Sequence, residues 1–213
     1  MKDNTKFKGL RNHLIDNLRT KGIKSENVLQ AMRKIPRHYF MDPGLINFAY
    51  EDQAYPISAE QTISQPYTVA FQSQLLDINQ KSKVLEVGTG SGYQTAVLLA
   101  LTPNVYSIER QKELFKKTQR LFGKLRLRPK RLIYGDGYKG LSDEAPFDGI
   151  IVTAAAPEVP KELLNQLKLN GKLVIPIGVK HQQMIRYTRT SEKLFDKEKF
   201  GIFRFVPLLN NKS

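Results

Sequence analysis

Leu10, Leu14 and Leu18 recur at helical spacing, and Gly22 stands where that helix should end. Ser25 is placed to cap a second helix carrying Val28, Leu29, Met32 and Ile35, which Pro36 stops. A loop rich in Pro, Asp, Tyr and Gly follows, from Asp42-Pro43-Gly44 to Tyr55-Pro56. At Lys83 the rhythm changes. Val84-Leu85-Glu86-Val87 is a short apolar strand ending in glycines, and residues 91–101 read as a helix. Residues 105–109 make a second strand, 111–123 a second helix and 131–134 a third strand. Gly149-Ile150-Ile151-Val152-Thr153 is a fourth strand, followed by a helix opened by Pro160, and residues 173–177 form a fifth. The tail alternates differently: residues 184–190 and 200–206 read as two strands joined by a polar connection.

Strands that alternate with helices imply right-handed crossovers and a parallel sheet. The chain therefore reads as α/β, a doubly wound and mostly parallel sheet with N-terminal helices and a C-terminal antiparallel β pair closing one edge. No internal repeat interrupts it. We expect a single domain over 1–213, divided into a helical cap (1–60), a cofactor-binding core (61–178) and a β tail (179–213).

Composition narrows the setting. With 213 residues, 40% hydrophobic and 25% charged, the chain is long enough for one core and too apolar for whole-chain disorder. No run of 18 apolar residues suggests a membrane span, and the polar lead Met1-Lys2-Asp3-Asn4-Thr5-Lys6 contains no signal-peptide core. Cysteine is absent, which removes disulfides, thiolate metal sites and a Cys nucleophile. A cytoplasmic location is expected. Lys and Arg number 34 against 20 Asp and Glu, a net charge of +14 that attracts anions of any kind.

The chemistry concentrates after the first core strand, in Gly88-Thr89-Gly90-Ser91-Gly92-Tyr93. Glycines between a strand and a helix let the backbone turn sharply beside a ligand, and the helix start offers free N–H groups. The dinucleotide fingerprint needs Gly where Tyr93 stands, and the P-loop Gly-Lys-Ser/Thr is missing. Glu109 lies 21 positions after Gly88, where an acid accepts hydrogen bonds from ribose hydroxyls. Asp136, in Gly135-Asp136-Gly137, follows the third strand, so Glu86, Glu109 and Asp136 all fall near carboxyl ends of strands. A ribose-bearing cofactor without a pyrophosphate fits, which points to S-adenosyl-L-methionine.

These motifs, together with Gln61-Thr62-Ile63-Ser64-Gln65-Pro66-Tyr67, Pro146-Phe147-Asp148 and Phe205-Val206-Pro207-Leu208, resemble the protein-L-isoaspartate O-methyltransferase family over about residues 10–208. The glycine loop is shared by many methyltransferases, whereas Thr62-Ile63-Ser64-Gln65-Pro66 is far more specific. The resemblance implies a methyltransferase-type fold and methyl transfer to the free α-carboxylate of L-isoaspartyl residues in damaged proteins. The ester then collapses to a succinimide that reopens in part to aspartate. It also implies Ser64 as the active-site residue. Cofactor contacts are expected from Gln61, Thr62, Ile63 and Ser64, beside Glu86, Gly88, Gly90, Glu109, Asp136 and Gly137. Two departures stand out: Glu60 replaces the usual Gly before Gln61, and Leu209 replaces a polar residue after Leu208.

An α-carboxyl with a pKa of about 3.5 is ionised at neutral pH, so its methylation needs no general base. Placing the reactants in line is worth up to roughly 7–11 kcal/mol. Ser64 would aim one carboxylate oxygen as a neutral donor; the structural alternative is that Ser64 or Gln65 caps the helix begun by Pro66. His13, His38 and His181 show no metal spacing, and no metal is expected. Residues 110–131 hold ten basic residues and one acid, Glu113. Leu114, Phe115, Leu121 and Phe122 supply an apolar stripe there, so a solvated helix face competes with nucleic-acid binding. The expected partners are damaged polypeptides, with no stable nucleic-acid partner, no membrane and a monomeric state. Two rival functions remain open: a methyltransferase for RNA or a small molecule, and a non-catalytic binding protein.

Overall fold

A computed structural model describes residues 3–213; Met1 and Lys2, the start of the polar lead, lie outside them. Helix α1 (Thr5–Thr20) is capped by Asn4, whose side chain accepts from Phe7 N, and α2 (Glu26–Lys34) by Ser25 as expected. Leu14 and Leu18 are buried but Leu10 is 39% exposed, so the inward stripe of α1 is Phe7, Arg11, Leu14, Ile15 and Leu18. A 3-10 turn at Arg37–Phe40 follows α2, and within the expected loop of residues 42–56 a second 3-10 turn occupies Pro43–Phe48. Strands β1 (Tyr55–Pro56) and β2 (Thr62–Ile63) then make a small antiparallel hairpin, and α3 (Pro66–Leu76) follows.

The core alternates β3 (Val84–Val87), α4 (Tyr93–Leu101), β4 (Val105–Glu109), α5 (Lys112–Leu125), β5 (Arg131–Tyr134), β6 (Phe147–Val152), α6 (Lys161–Asn165) and β7 (Leu167–Ile177). Strand β7 begins six residues earlier than its apolar run, across an irregularity where pairing jumps between Phe147 and Gly149. The tail adds β8 (Gln182–Arg189) and β9 (Phe195–Phe203). The seven strands run β5-β4-β3-β6-β7-β8-β9, parallel through β7 and antiparallel beyond it. The expected antiparallel edge is present.

The last strand lies about five residues earlier than its alternation suggested. Its polar stretch Asp196-Lys197-Glu198-Lys199 belongs to the edge, because one face meets solvent and charge is satisfied across the ladder. Arg186 Nε donates to Glu198 Oε2 at 2.7 Å from the opposed position. Residues 204–206 leave the sheet instead: the Gln182 side chain holds both backbone groups of Phe205, and Pro207 bridges to Ala155.

The cap has no separate core. Leu18, Leu29 and Met32 share one buried cluster with Ile63, Val69, Tyr93, Val97 and Phe122. Strand order reverses direction at β3 and β6, since β4 and β5 build outward on one side and β7 on the other. That switch point opens a crevice at the carboxyl ends of the strands.

Candidate active site

The crevice is framed by the backbone first. Val87 leads into Gly88, Gly90 and Gly92, all with positive φ (98°, 53° and 86°). At Gly92 a Cβ would lie 2.8 Å from Thr118 Cγ2 and also strike the Phe122 ring, so α5 can pack this close only against glycine. Gly92 is the N-cap of α4, whose helix starts at Tyr93 rather than at Ser91. The crevice wall runs through Gly88 to Ser91, Ile108 to Gln111, Gly137, Thr153 and Ala154, with Leu208 and Leu209 arriving from the tail. Gln61, Thr62, Ile63 and Ser64 close its other side.

Of the sequence-derived cofactor residues, Gln61, Thr62, Ile63, Ser64, Gly88, Gly90, Glu109 and Gly137 line this one cavity. Glu109 is 4% exposed, and its carboxylate is held at both oxygens: Gly90 N donates to Oε2 and Gln111 N to Oε1, each at 2.8 Å. Burial pushes this carboxyl up, against the backbone amides that stabilise its charge. The acid is thus fixed in place on the crevice rim.

Glu86 and Asp136 are not on the cavity wall. Glu86 is completely buried, with Oε2 accepting from Thr95 Oγ1 at 2.5 Å and Ser107 Oγ at 2.6 Å. Its other oxygen has no partner. Burial raises it to about 8, so at neutral pH it is largely a protonated acid tying β3 to α4 and β4. Asp136 caps the turn after β5: Oδ1 accepts from Tyr138 N at 2.9 Å and Oδ2 from Asn211 N at 3.0 Å. Its carboxylate anchors the tail.

Ser64 is half-buried and lines two spaces. One is the inner crevice. The other is an outer groove formed with Tyr67, Thr68 and residues 201–206, and Thr62, Thr153 and Val206 also border both. Neither Ser64 nor Gln65 makes a side-chain cap for α3. That task falls to Asp52, whose Oδ1 accepts from Tyr67 N at 2.7 Å, so the Ser64 hydroxyl is not committed to the helix.

Two residues missed by sequence reasoning hold this corner together. Arg37 is fully buried and donates to the carbonyls of Ala49 (2.8 Å), Gln53 (3.1 Å) and Ser64 (3.1 Å). Thr153 Oγ1 donates to Gly88 O at 2.7 Å, pinning the glycine loop to β6. Only Thr153 had a signal, its place at a strand's carboxyl end. Positive φ at Ala59 (57°) and Glu60 (54°) makes the turn joining β1 and β2 left-handed, a backbone that glycine adopts at least cost.

The donor set suits S-adenosylmethionine: one fixed carboxylate, hydroxyls and amides, and apolar walls from Val87, Ile108, Leu114 and Leu208 for a flat base. Among the described residues no group of three or more His, Cys, Asp or Glu could hold a metal ion, and no helix is long and apolar enough to cross a membrane. Helix α5 buries Leu114, Thr118 and Phe122 and leaves its lysines exposed, with Lys117 paired to Asp42 at 3.1 Å.

A family model for protein-L-isoaspartate(D-aspartate) O-methyltransferase matches residues 9–213. A protein-L-isoaspartate O-methyltransferase of Christiangramia forsetii is 59% identical, covering all of both chains, and that of Flavobacterium johnsoniae is 58% identical over the same extent. A crystal structure from Plasmodium falciparum, described as a protein-L-isoaspartate O-methyltransferase in complex with S-adenosyl-L-homocysteine, superposes with a TM-score of 0.82. It is 26% identical, and the match covers 94% of this chain and 99% of that one. With its glycine loop, its fixed acid at Glu109 and its Thr62-Ile63-Ser64 corner, the chain belongs to the protein-L-isoaspartate(D-aspartate) O-methyltransferase family.

Proposed function

We propose that the chain is a protein-repair enzyme that methylates the α-carboxylate of L-isoaspartyl residues in damaged proteins and peptides. One observation carries the reading: Ser64 stands between an inner crevice suited to the cofactor and an outer groove open to a polypeptide. When bound, S-adenosylmethionine supplies the methyl group from a positively charged sulfur. Glu109 would accept from the ribose hydroxyls, and the Gly88–Gly92 loop would approach the cofactor closely. Gln61, Thr62 and Ile63 would contact it from the hairpin side. Gly137 supports the same reading through its place on the crevice wall. Glu86 and Asp136 would act through others, the first by holding β3, α4 and β4 together and the second by fixing residue 211.

Ser64 would donate its hydroxyl proton as a hydrogen bond to one substrate oxygen and so aim the other. No residue needs to take a proton, because the substrate is already ionised. Cap, core and tail (1–60, 61–178 and 179–213) work as one unit in this reading: Arg37 of the cap holds the Ser64 carbonyl, and Val206 of the tail borders both spaces. The enzyme would act as a cytoplasmic monomer on damaged polypeptides rather than on nucleic acid or a membrane.

The test is radiolabelled methyl transfer to an isoaspartyl peptide, its aspartyl isomer and bulk RNA. Strong preference for the isoaspartyl peptide is expected, since the isomer displaces the carboxylate by one backbone carbon. Equal rates on the two isomers, or transfer to RNA alone, would defeat the reading.

A further inference from the structure

The outer groove has a charge of its own. Lys180 and Arg204 supply it from the wall, beside the His181 ring, and no Asp or Glu stands there. All three are exposed, and among the described residues none of these side chains is held by a hydrogen bond or an ion pair. Nearby cations on the same sheet edge are engaged: Arg186 pairs with Glu198 at 2.7 Å, and Lys197 lies over the Tyr187 ring at 5.7 Å. The turn between β7 and β8 brings Lys180 and His181 to the groove, and the chain leaving β9 brings Arg204. Aromatic rings share the groove wall with them, with Tyr67 and Phe203 stacked at 6.3 Å.

A peptide seated here would rest its backbone and apolar atoms on those rings while its side chains met unpaired cations. Lys180 and Arg204 do not line the inner crevice. Their influence therefore falls on capture of the polypeptide and not on methyl transfer itself. Exposed pairs are each worth about 0.2–1 kcal/mol, up to roughly a fivefold change, and long-range attraction adds to the encounter rate. Resting on the repair reading above, we propose that this groove selects isoaspartyl segments flanked by acidic residues, with Lys180 and Arg204 as the specificity-determining side chains.

The whole chain carries +14, so any acidic peptide is attracted to some degree. The experiment separates the groove from that general field. Three isoaspartyl peptides, alike except for Glu, Ala or Lys on both sides of the damaged residue, are assayed at low salt and at 0.5 M NaCl. The native protein is compared with Lys180→Glu/Arg204→Glu and with Lys116→Glu/Lys124→Glu, an equal change of net charge on α5. At low salt the native protein should favour the Glu peptide over the Lys peptide by about tenfold in kcat/KM, with kcat nearly constant. The preference should shrink at high salt, where charges are screened beyond about 4 Å. Reversal of the order in the groove variant, and its retention in the α5 variant, would support the proposal. Equal kcat/KM for the three peptides, or the same loss of preference in both variants, would overturn the inference alone. No transfer to any of the three would overturn the repair reading and the inference together.

Discussion

Replacing Glu86 by Gln should stabilise the protein at neutral and alkaline pH and flatten its stability against pH. The carboxyl is fully buried, accepts from Thr95 and Ser107 through one oxygen, and has no partner at the other. Burial is the largest influence and raises it from an ordinary 4.5 to about 8; the two hydroxyls pull the other way, and nearby Glu109 adds repulsion. The folded protein therefore keeps a proton that the unfolded chain releases. Stability falls as pH rises from about 4.5 to about 8 and levels off above that window. At about 1.4 kcal/mol per tenfold in proton affinity, the ceiling is roughly 5 kcal/mol, as large as the whole stability of many domains. Gln offers one oxygen to both hydroxyls and never ionises. Urea unfolding of the cofactor-free proteins at pH steps from 4.5 to 9 measures the difference. The variant and native protein should be close at the acid end and separate by about 2–5 kcal/mol by pH 8.5. Parallel curves across the range would refute the picture of a buried neutral acid beneath the glycine loop.

Glu109→Ala should weaken S-adenosylmethionine binding by about 1.5–3 kcal/mol, through loss of a charged acceptor; calorimetry with unchanged affinity would remove Glu109 from the site. Ser64→Ala should lower turnover on the isoaspartyl peptide by about tenfold or more while leaving the melting temperature nearly unchanged. Asp52→Ala, which removes the acceptor for Tyr67 N, should instead cost about 1 kcal/mol or more of stability. A Ser64→Ala protein that melts early yet turns over normally would return Ser64 to a structural role. Glu60→Gly should raise the urea midpoint, since a left-handed side-chain residue costs about 1–2 kcal/mol and the freer unfolded glycine chain returns only part of it. A lowered midpoint would show that Glu60 makes a compensating contact.

Local physics is legible in a sequence, and the elements that depend on it are those that matched. Ser25 caps α2 because its hydroxyl lies three residues from Val28 N, and the 88–92 loop turns as it does because glycine tolerates positive φ. The apolar runs of β3, β4 and β6 alternate with helices whatever their partners, so the parallel core and its rim follow from pattern alone. The Thr62-Ile63-Ser64 stretch carried the family because it is a contiguous motif. The direction of Glu86 was not legible: β3 is buried on both faces, so alternation along it says nothing about which way an acid points, and only α4 and β4 supply the hydroxyls that turn it inward. Neither were the supports of Ser64. Arg37 reaches its carbonyl across 27 positions and Asp52 caps the following helix across 15, contacts set by packing of the cap on the core and not by spacing. The last strand shifted because Glu198 gains a partner only when β9 lies beside Arg186. Sequence determined the fold class, the glycine loop and the family, since each is written in neighbouring residues. Tertiary structure alone decided which acids face the crevice and that Ser64 divides it from a basic groove, because both depend on segments that meet only when the sheet closes.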